Sequence, residues 1–367
     1  PTANEEYYNG TFLFVSPFDI NESRYLSKTN TTLTELGFQK GRKIRKGSSL
    51  FVCIGSTIGK IAQNTIDCIT NQQINSVVPI NNDDDFIYSL LENHSNKIKM
   101  LTAEQAVPII NKTTFSNYSL NIPSLPEQQK IASFLTTVDE KLQALKKKKT
   151  LLEQYKKGVM QKIFSLEIRF KDDNGKEFPE WENRHLFEVL KEHCEKSKGS
   201  EEVFSVSVHK GVINQIEHLG RSFAAKSTSH YNLVKPNDII YTKSPTGDFP
   251  YGIIKQSKIK ENVIVSPLYG VFTPETKHLG YILDVYFESA NNVYNYLASI
   301  IQKGAKNTIN ITNEKFLSKS LFLPISFDEQ AKIASFIKSI NDKINHCQTQ
   351  IEKTEMWKKG LLQRMFC

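Results

Sequence analysis

Gly55-Ser-Thr-Ile-Gly59-Lys60-Ile61 has the residue types of a phosphate-cradling loop, glycines to let backbone N–H groups converge and a lysine to meet the charge. Its spacing fails. Three residues separate the glycines where four are needed, and Ile61 stands where the magnesium-binding hydroxyl belongs. A tight turn between strands is expected instead. Asp238 with Glu275 and Lys277 has the types of a nuclease set, two acids for a metal and a lysine for charge. The comparable stretch earlier in the chain has Ser49 in place of Asp238, and the acids do not recur, so Asp238 is expected to cap a turn. The eight histidines show no metal-ligand spacing, and His193 and Cys194, as neighbours, face different ways. No Gly-x-Ser-x-Gly elbow, Gly-rich dinucleotide loop or Asn-Pro-Pro-aromatic motif occurs. No catalytic residue, metal ligand or cofactor site is therefore assigned to this chain.

Groups suited to binding are better supplied. Arg and Lys match guanine edges and phosphates, and Asn and Gln match adenine edges. The candidates in the first half are Arg42, Lys43 and Arg45 in a basic turn, with Lys60, Gln72 and Gln73. In the second half they are Lys210, Arg221, Lys226, Tyr231 and Lys243, interleaved with Ser, Thr and aromatic residues. Each taken alone reads equally as a solvated surface group. Lys146 to Lys149 reads as a wet helix face.

The elements that must carry these groups occur twice. The stretch from Ser124 aligns without a gap to the stretch from Ser326, and 15 of 42 positions are identical. Each copy opens with Ser followed three residues later by Glu, the pattern of a capping box. Apolar residues then recur every seven, the seam of a coiled coil. The seam comprises Ile131, Leu135, Val138, Leu142, Leu145, Leu152 and Val159 in one copy, and Ile333, Ile337, Ile340, Ile344, Ile351 and Leu361 in the other. Neither helix can bury such a stripe alone, so each is expected to pair with the other. Two amphipathic helices, each covering its own domain, are the alternative.

The globular halves share a plan. Lys46 to Val52 and Lys235 to Tyr241 both read as a turn entering a buried strand, and both halves end in a strand closed by proline, Pro123 or Pro324. Residues 86–101 and 281–301 read as helices, and Lys112 to Ile122, Val263 to Phe272 and Phe316 to Leu323 as strands. The expected fold class is α+β, two strand-rich mixed domains each followed by a long helix. The expected divisions are 1–123, the helix 124–165, a linker 166–180, a second domain 181–324 and the helix 325–367.

The 367 residues suffice for two domains with real cores. Lys and Arg total 47 against 39 acidic residues, a net charge of +8, which suggests an anionic partner, nucleic acid before membrane. No apolar run approaches a membrane span. Five scattered cysteines without C-x-x-C spacing read as reduced thiols, so a cytoplasmic location is expected. The chain opens on Pro1, which suggests N-terminal trimming.

Leu125-Pro-Glu-Gln-Gln-Lys-Ile-Ala132 with Asp328-Glu-Gln-Ala-Lys-Ile-Ala334, and Lys156-Lys-Gly158 to Phe164 with Lys358-Lys-Gly360 to Phe366, resemble the DNA specificity subunit of type I restriction–modification enzymes. Arg169-Phe170 with Phe178-Pro-Glu-Trp-Glu182 is similar to that family's lead-in to a recognition domain, and the first half has no counterpart of it. The resemblance implies two target recognition domains reading the halves of a split, asymmetric site in double-stranded DNA. It also implies an antiparallel helix pair that sets their spacing with pseudo-twofold symmetry, and docking of two methyltransferase subunits. Those subunits would bind S-adenosylmethionine, with restriction–translocase subunits joining the core. A stand-alone nuclease or methyltransferase, and a coiled-coil protein scaffold, are the competing readings.

Overall fold

The computed structural model describes residues 4–21, 23–102, 107–221, 227–303 and 309–366. The chain forms two compact units, Pro1–Leu152 with Ile344–Cys367, and Glu153–Lys343. Each unit holds a globular domain and parts of both long helices, Leu125–Phe164 and Phe327–Met365. At 40 and 39 residues these helices are each roughly 60 Å long.

In the first unit the strand Ser49–Val52 is wholly buried and lies between Ile61–Asn64 and Ile74–Val77, antiparallel to both. A continuous apolar strand of this kind belongs at the centre of a sheet, because both faces are covered. Tyr25–Leu26 adds an edge parallel to Ile61–Asn64. The turn entering the central strand needs glycine. Gly47 has φ +81°, and a Cβ there would stand 2.3 Å from an Asp84 carboxylate oxygen. The helix Asp84–Lys99 begins at Asp83, whose side chain accepts from the Phe86 N–H, and it buries Phe86, Ile87, Leu90, Leu91 and Ile98. A smaller sheet, ordered Thr31–Leu33, Tyr8–Val15, Cys68–Thr70, completes the domain.

The second unit repeats the central arrangement. Ile239–Tyr241 is buried between Ile254–Gln256 and Gly270–Pro274, again antiparallel to both, with Leu190–Glu192 on the outer edge. The helix Lys277–Tyr286 follows, capped by Thr276. Its core is built from Tyr241, Phe272, Leu283, Phe287 and Phe316, all under 2% exposed.

Several local expectations are corrected. Lys112–Ser116 is a helix, because Asn111 caps it by accepting from the Thr114 N–H, and no strand forms there. Val263 to Phe272 divides at Pro267 into Val263–Val265 and Gly270–Pro274. The helix expected over 281–301 is two, Lys277–Tyr286 and Ala290–Leu297, with Ser289 capping the second. Phe316 and Leu317 end a helix capped by Thr312, and the strand begins at Ser320. Neither capping box closes. Ser326 accepts from the Glu329 N–H at 3.4 Å, but the Glu329 carboxylate is drawn to Arg169 instead.

Burial follows the seven-residue period, although Ile131 packs against the core of the first unit's globular domain. Leu135, Val138, Ile333, Ile337, Ile340 and Ile351 are buried, and Ile131, Leu142, Leu145, Leu152, Val159, Ile344 and Leu361 half-buried. In the first unit the helices run antiparallel: Phe134 meets Trp357, Lys146 pairs with Glu355, and the Cys347 thiol bonds the Leu145 carbonyl. In the second unit Met160 and Ile163 share a cluster with Ile333 and Ile337. In the second helix the seven-residue row continues through buried Cys347 and Thr354, which apolar pattern-reading passes over.

Candidate nucleic-acid interface

The central strand fixes where the first unit's candidates lie. Its entry end carries the turn with Arg42, Lys43 and Arg45, and its exit end carries the turn with Lys60. Cys53 donates to the Gln73 carbonyl at 2.8 Å, so the Asn71–Gln73 turn joins the exit end. Lys60 and Gln73 are thus brought to the exit end and Arg45 lies beyond the entry end, while Ile44 pairs with Cys68, so that Arg42 and Lys43 lie beside the strand leading into the Asn71–Gln73 turn.

The basic groups at the entry end differ in availability. Arg45 grips Asp84 with two bonds of 2.7 Å and donates to the Pro79 carbonyl at 2.8 Å. Its charge is matched within the fold. Arg42 and Lys43 are exposed, the Lys43 ammonium lying 5.1 Å over the Phe38 ring. At the exit end Lys60 and Gln72 are exposed, and the Gln73 side chain accepts from Asn71. Gly55 and Gly59 have φ +96° and +94°, and the Ile58 N–H donates to the Gly55 carbonyl, so the phosphate-loop look-alike is a tight turn. That turn presents Ser56, a residue sequence reading missed.

The second unit builds a longer turn at the matching strand end, residues 242–253. Thr246 and Phe249 exchange backbone bonds of 3.0 and 2.9 Å, which holds Ser244 to Asp248 outward. Lys243 enters this turn with φ +53°, half-buried, and burial draws its amine below the usual lysine range despite Glu192 nearby. Lys210 is exposed in the hairpin between Phe204–Ser207 and Gly211–Asn214. Arg221 is exposed beyond the helix Gln215–Leu219, and Lys226 lies outside the described residues. Tyr231 is corrected: it is 8% exposed and packs with Leu233 and Ile264, so its ring is part of a core and is not offered for base stacking. Ser244, Thr246 and Asp248 were missed, although the glycines at 247 and 252 signal the turn that exposes them.

The acids that resembled a nuclease set are occupied structurally. Asp238 is 1% exposed and accepts from the Lys235 N–H, Thr273 and His193, while Glu275 pairs with Arg184. Among the described residues no helix is long and apolar enough to cross a membrane. A denser ionic network sits beside the seam. Arg24 donates to Gln63, Thr136, Asp139 and Asp85 at 3.0, 3.2, 2.9 and 2.6 Å. Lys358 joins Asp139 at 2.7 Å and Glu92 at 2.6 Å. These groups border a cleft of about 570 Å³. Burial raises the Glu92 carboxyl above the usual range, against the pull of Lys358.

A family model described as the type I restriction modification DNA specificity domain matches residues 1–154. The match covers less than half of the chain. Curated relatives extend the likeness across the repeat. The type I restriction enzyme MjaVIII specificity subunit of Methanocaldococcus jannaschii is 24% identical over 76% of this chain and 68% of its own length. The MjaIX specificity subunit of the same organism is 22% identical over 63% of this chain and 56% of its own length, so the match spans little more than half of that relative. The fold is that of the solved type I restriction–modification S subunit from M. genitalium, with a TM-score of 0.58 at 14% identity, covering 98% of this chain and 93% of that one. A chain from a structural study of complex assembly and conformational transition of the type I system matches at TM-score 0.51 and 12% identity over 99% and 95%. In both units the central strand lies between two antiparallel neighbours, and the turn that leaves it differs in length.

Proposed function

We propose that the chain is the DNA-reading specificity subunit of a cytoplasmic type I restriction–modification complex, non-catalytic itself. Each globular domain reads one half of a split site in double-stranded DNA, and the two long helices set the spacing between the halves. Two methyltransferase subunits dock on this frame and carry the S-adenosylmethionine, with restriction–translocase subunits joining them.

One observation carries the reading: the same three-stranded frame occurs twice with unlike exit turns, Ile54–Gly59 in one unit and 242–253 in the other. A protein that reads two different half-sites needs that combination, a fixed frame to place each turn and different side chains upon it. The net charge of +8 and the exposed Arg42, Lys43, Lys60 and Lys210 supply the phosphate contacts that hold register.

The test is methylation mapping in cells that express the chain with its methyltransferase partner. A methylated bipartite motif with a fixed gap is the expected result. Exchanging residues 178–324 for those of another specificity subunit should change one half of the motif and leave the other. An intact complex that methylates without sequence preference would overturn the proposal.

A further inference from the structure

The repeat places identical residues in unlike surroundings. In the second unit residues 166–180 lie as an arm over the start of the second long helix. Arg169 donates to Glu329 at 3.3 Å, and the Glu329 side chain is only 1% exposed. Phe170 sets its ring against Phe336, centroids 5.5 Å apart. Lys332 donates to the Lys171 carbonyl at 2.8 Å and to Asp173 at 2.7 Å, and lies 5.7 Å over the Phe178 ring.

In the first unit the same helix residues are Glu127, Phe134 and Lys130, and all three are exposed. Among the described residues none bonds the side chain of Glu127 or Lys130. Phe134 is 41% exposed and touches the half-exposed Trp357 at 5.9 Å. A cleft of about 610 Å³ opens between Pro126, Gln129, Lys130, Ser133, Phe134 and Thr137. From Lys130 to Phe134 the sequence is identical to Lys332 to Phe336. The receiving surface is therefore present in both units, and the arm lies on one.

We propose that this face of the first long helix is a docking site for an extended polypeptide arm with the chemistry of residues 169–178. The arm brings a guanidinium to Glu127, an aromatic edge to Phe134, and a backbone carbonyl and a carboxylate to Lys130. Charge complementarity argues for this occupant. An acid, a base and an aromatic ring stand in one row, at the spacing that already holds such an arm in the second unit. Scattered apolar residues on a surface would need no such explanation. The proposal is independent of DNA reading, because it concerns a protein contact on the helix.

A synthetic peptide of residues 166–180 tests it on the full chain. That peptide contains no tryptophan, and Trp181 is 4% exposed, so Trp357 reports its arrival. Titration to about 2 mM, followed by Trp357 emission and by calorimetry, should saturate at one peptide per chain. Glu127→Arg should weaken binding roughly tenfold, the equivalent of one lost ion pair, and a peptide with Arg169→Glu should recover it on that variant alone. No saturation by either method overturns the proposal. So does binding indifferent to both charge reversals. Concentration-dependent dimerisation abolished by Phe134→Ala, without peptide binding, would assign the face to a second copy of the chain and overturn it equally.

Discussion

Arg24 makes the strongest single test of how the first unit is held together. Its side chain is 3% exposed, and Asp139 beside it is 4% exposed. Burial opposes the guanidinium charge, and the surrounding Tyr25, Asp139 and Asp85 nonetheless hold its pKa above the ordinary arginine value. Arg24→Ala removes four hydrogen bonds and the cation lying 4.5 Å over the Tyr88 ring. Breaking a buried pair by removing one partner costs about 3–5 kcal/mol. Asp139 keeps Lys358 at 2.7 Å, and Asp85 is 41% exposed and can be rehydrated, so the cost falls at the lower end, about 3 kcal/mol. For a unit of this size that is roughly a 6–12 °C fall in Tm by scanning calorimetry. Arg45→Ala is the control. The Arg45–Asp84 pair has the same chemistry at 43% and 32% exposure, and its loss should cost no more than about 1 kcal/mol. A double-mutant cycle of Arg24→Ala with Asp139→Asn should show coupling of about 1–3 kcal/mol. Equal Tm losses for the two arginines, or strict additivity in the cycle, would refute the view that burial makes this network matter.

The seam, the buried acid and the basic turns yield further tests. Val138→Asp or Ile340→Asp buries an unpaired carboxylate at sites 4% and 3% exposed, and should cost about 3–5 kcal/mol and relax the preferred half-site gap in methylation mapping. If stability and gap both survive, the helices do not act as a ruler. Glu92 has a carboxyl raised above 4.5 by burial, so the folded chain holds its proton after the unfolded chain has released it. Stability from this group is therefore greatest below about pH 4.5 and is lost as pH rises through the raised value. The wild type should accordingly lose stability relative to Glu92→Gln over that range in urea titrations, and the opposite slope would mean that Lys358 outweighs burial. For DNA binding, Arg42→Ala, Lys43→Ala and Lys60→Ala should each lower the slope of log affinity against log salt by about 1. Arg45→Ala should leave that slope unchanged, since Asp84 already neutralises it; an equal drop would contradict the assignment.

What the sequence made legible followed period and identity. Heptads at Ile131 to Val159 and Ile333 to Leu361 are strong because a stripe over some forty residues has few alternative readings. Short segments were weaker. Lys112-Thr-Thr-Phe reads as strand by β-branched content, but Asn111 supplies a local cap that wins over propensity. Phe316 failed likewise, through Thr312. For the candidate interface, composition located Arg42, Lys43 and Lys60 but could not tell them from Arg45, whose partner Asp84 is 39 residues away. Tyr231 was misread for the same reason. Its burial depends on Ile264, and one-dimensional proximity to His230 and Lys226 carries no information about that contact.

The pattern of identity within the repeat also separates scaffold from joint. The apolar seam positions drift, Leu135 against Ile337 and Val138 against Ile340, because a seam tolerates exchange among similar volumes. The identical residues concentrate where helix meets globular domain. Gln128 donates to the Pro123 carbonyl and accepts from the Asp83 N–H at the start of a helix. Gln330 donates to the Pro324 carbonyl and accepts from Thr276, which caps the matching helix. Lys358 reaches Glu92 in the first unit, and Lys156, its equivalent, reaches Glu288 in the second at 2.6 Å. Phe366 packs on Phe86, and Phe164 on Tyr286. Both lysines occupy seam positions where an apolar residue would pack better against the neighbouring helix, so their retention in both copies points to the domain contact. Replacing both with Met should leave the helices paired while loosening each domain from them. Hydrogen exchange should then rise more in Asp84–Lys99 and Lys277–Tyr286 than along Leu135 to Leu145, where Asp139 loses Lys358 but keeps Arg24. A greater rise along the seam instead would mean that the lysines serve the helix pair itself.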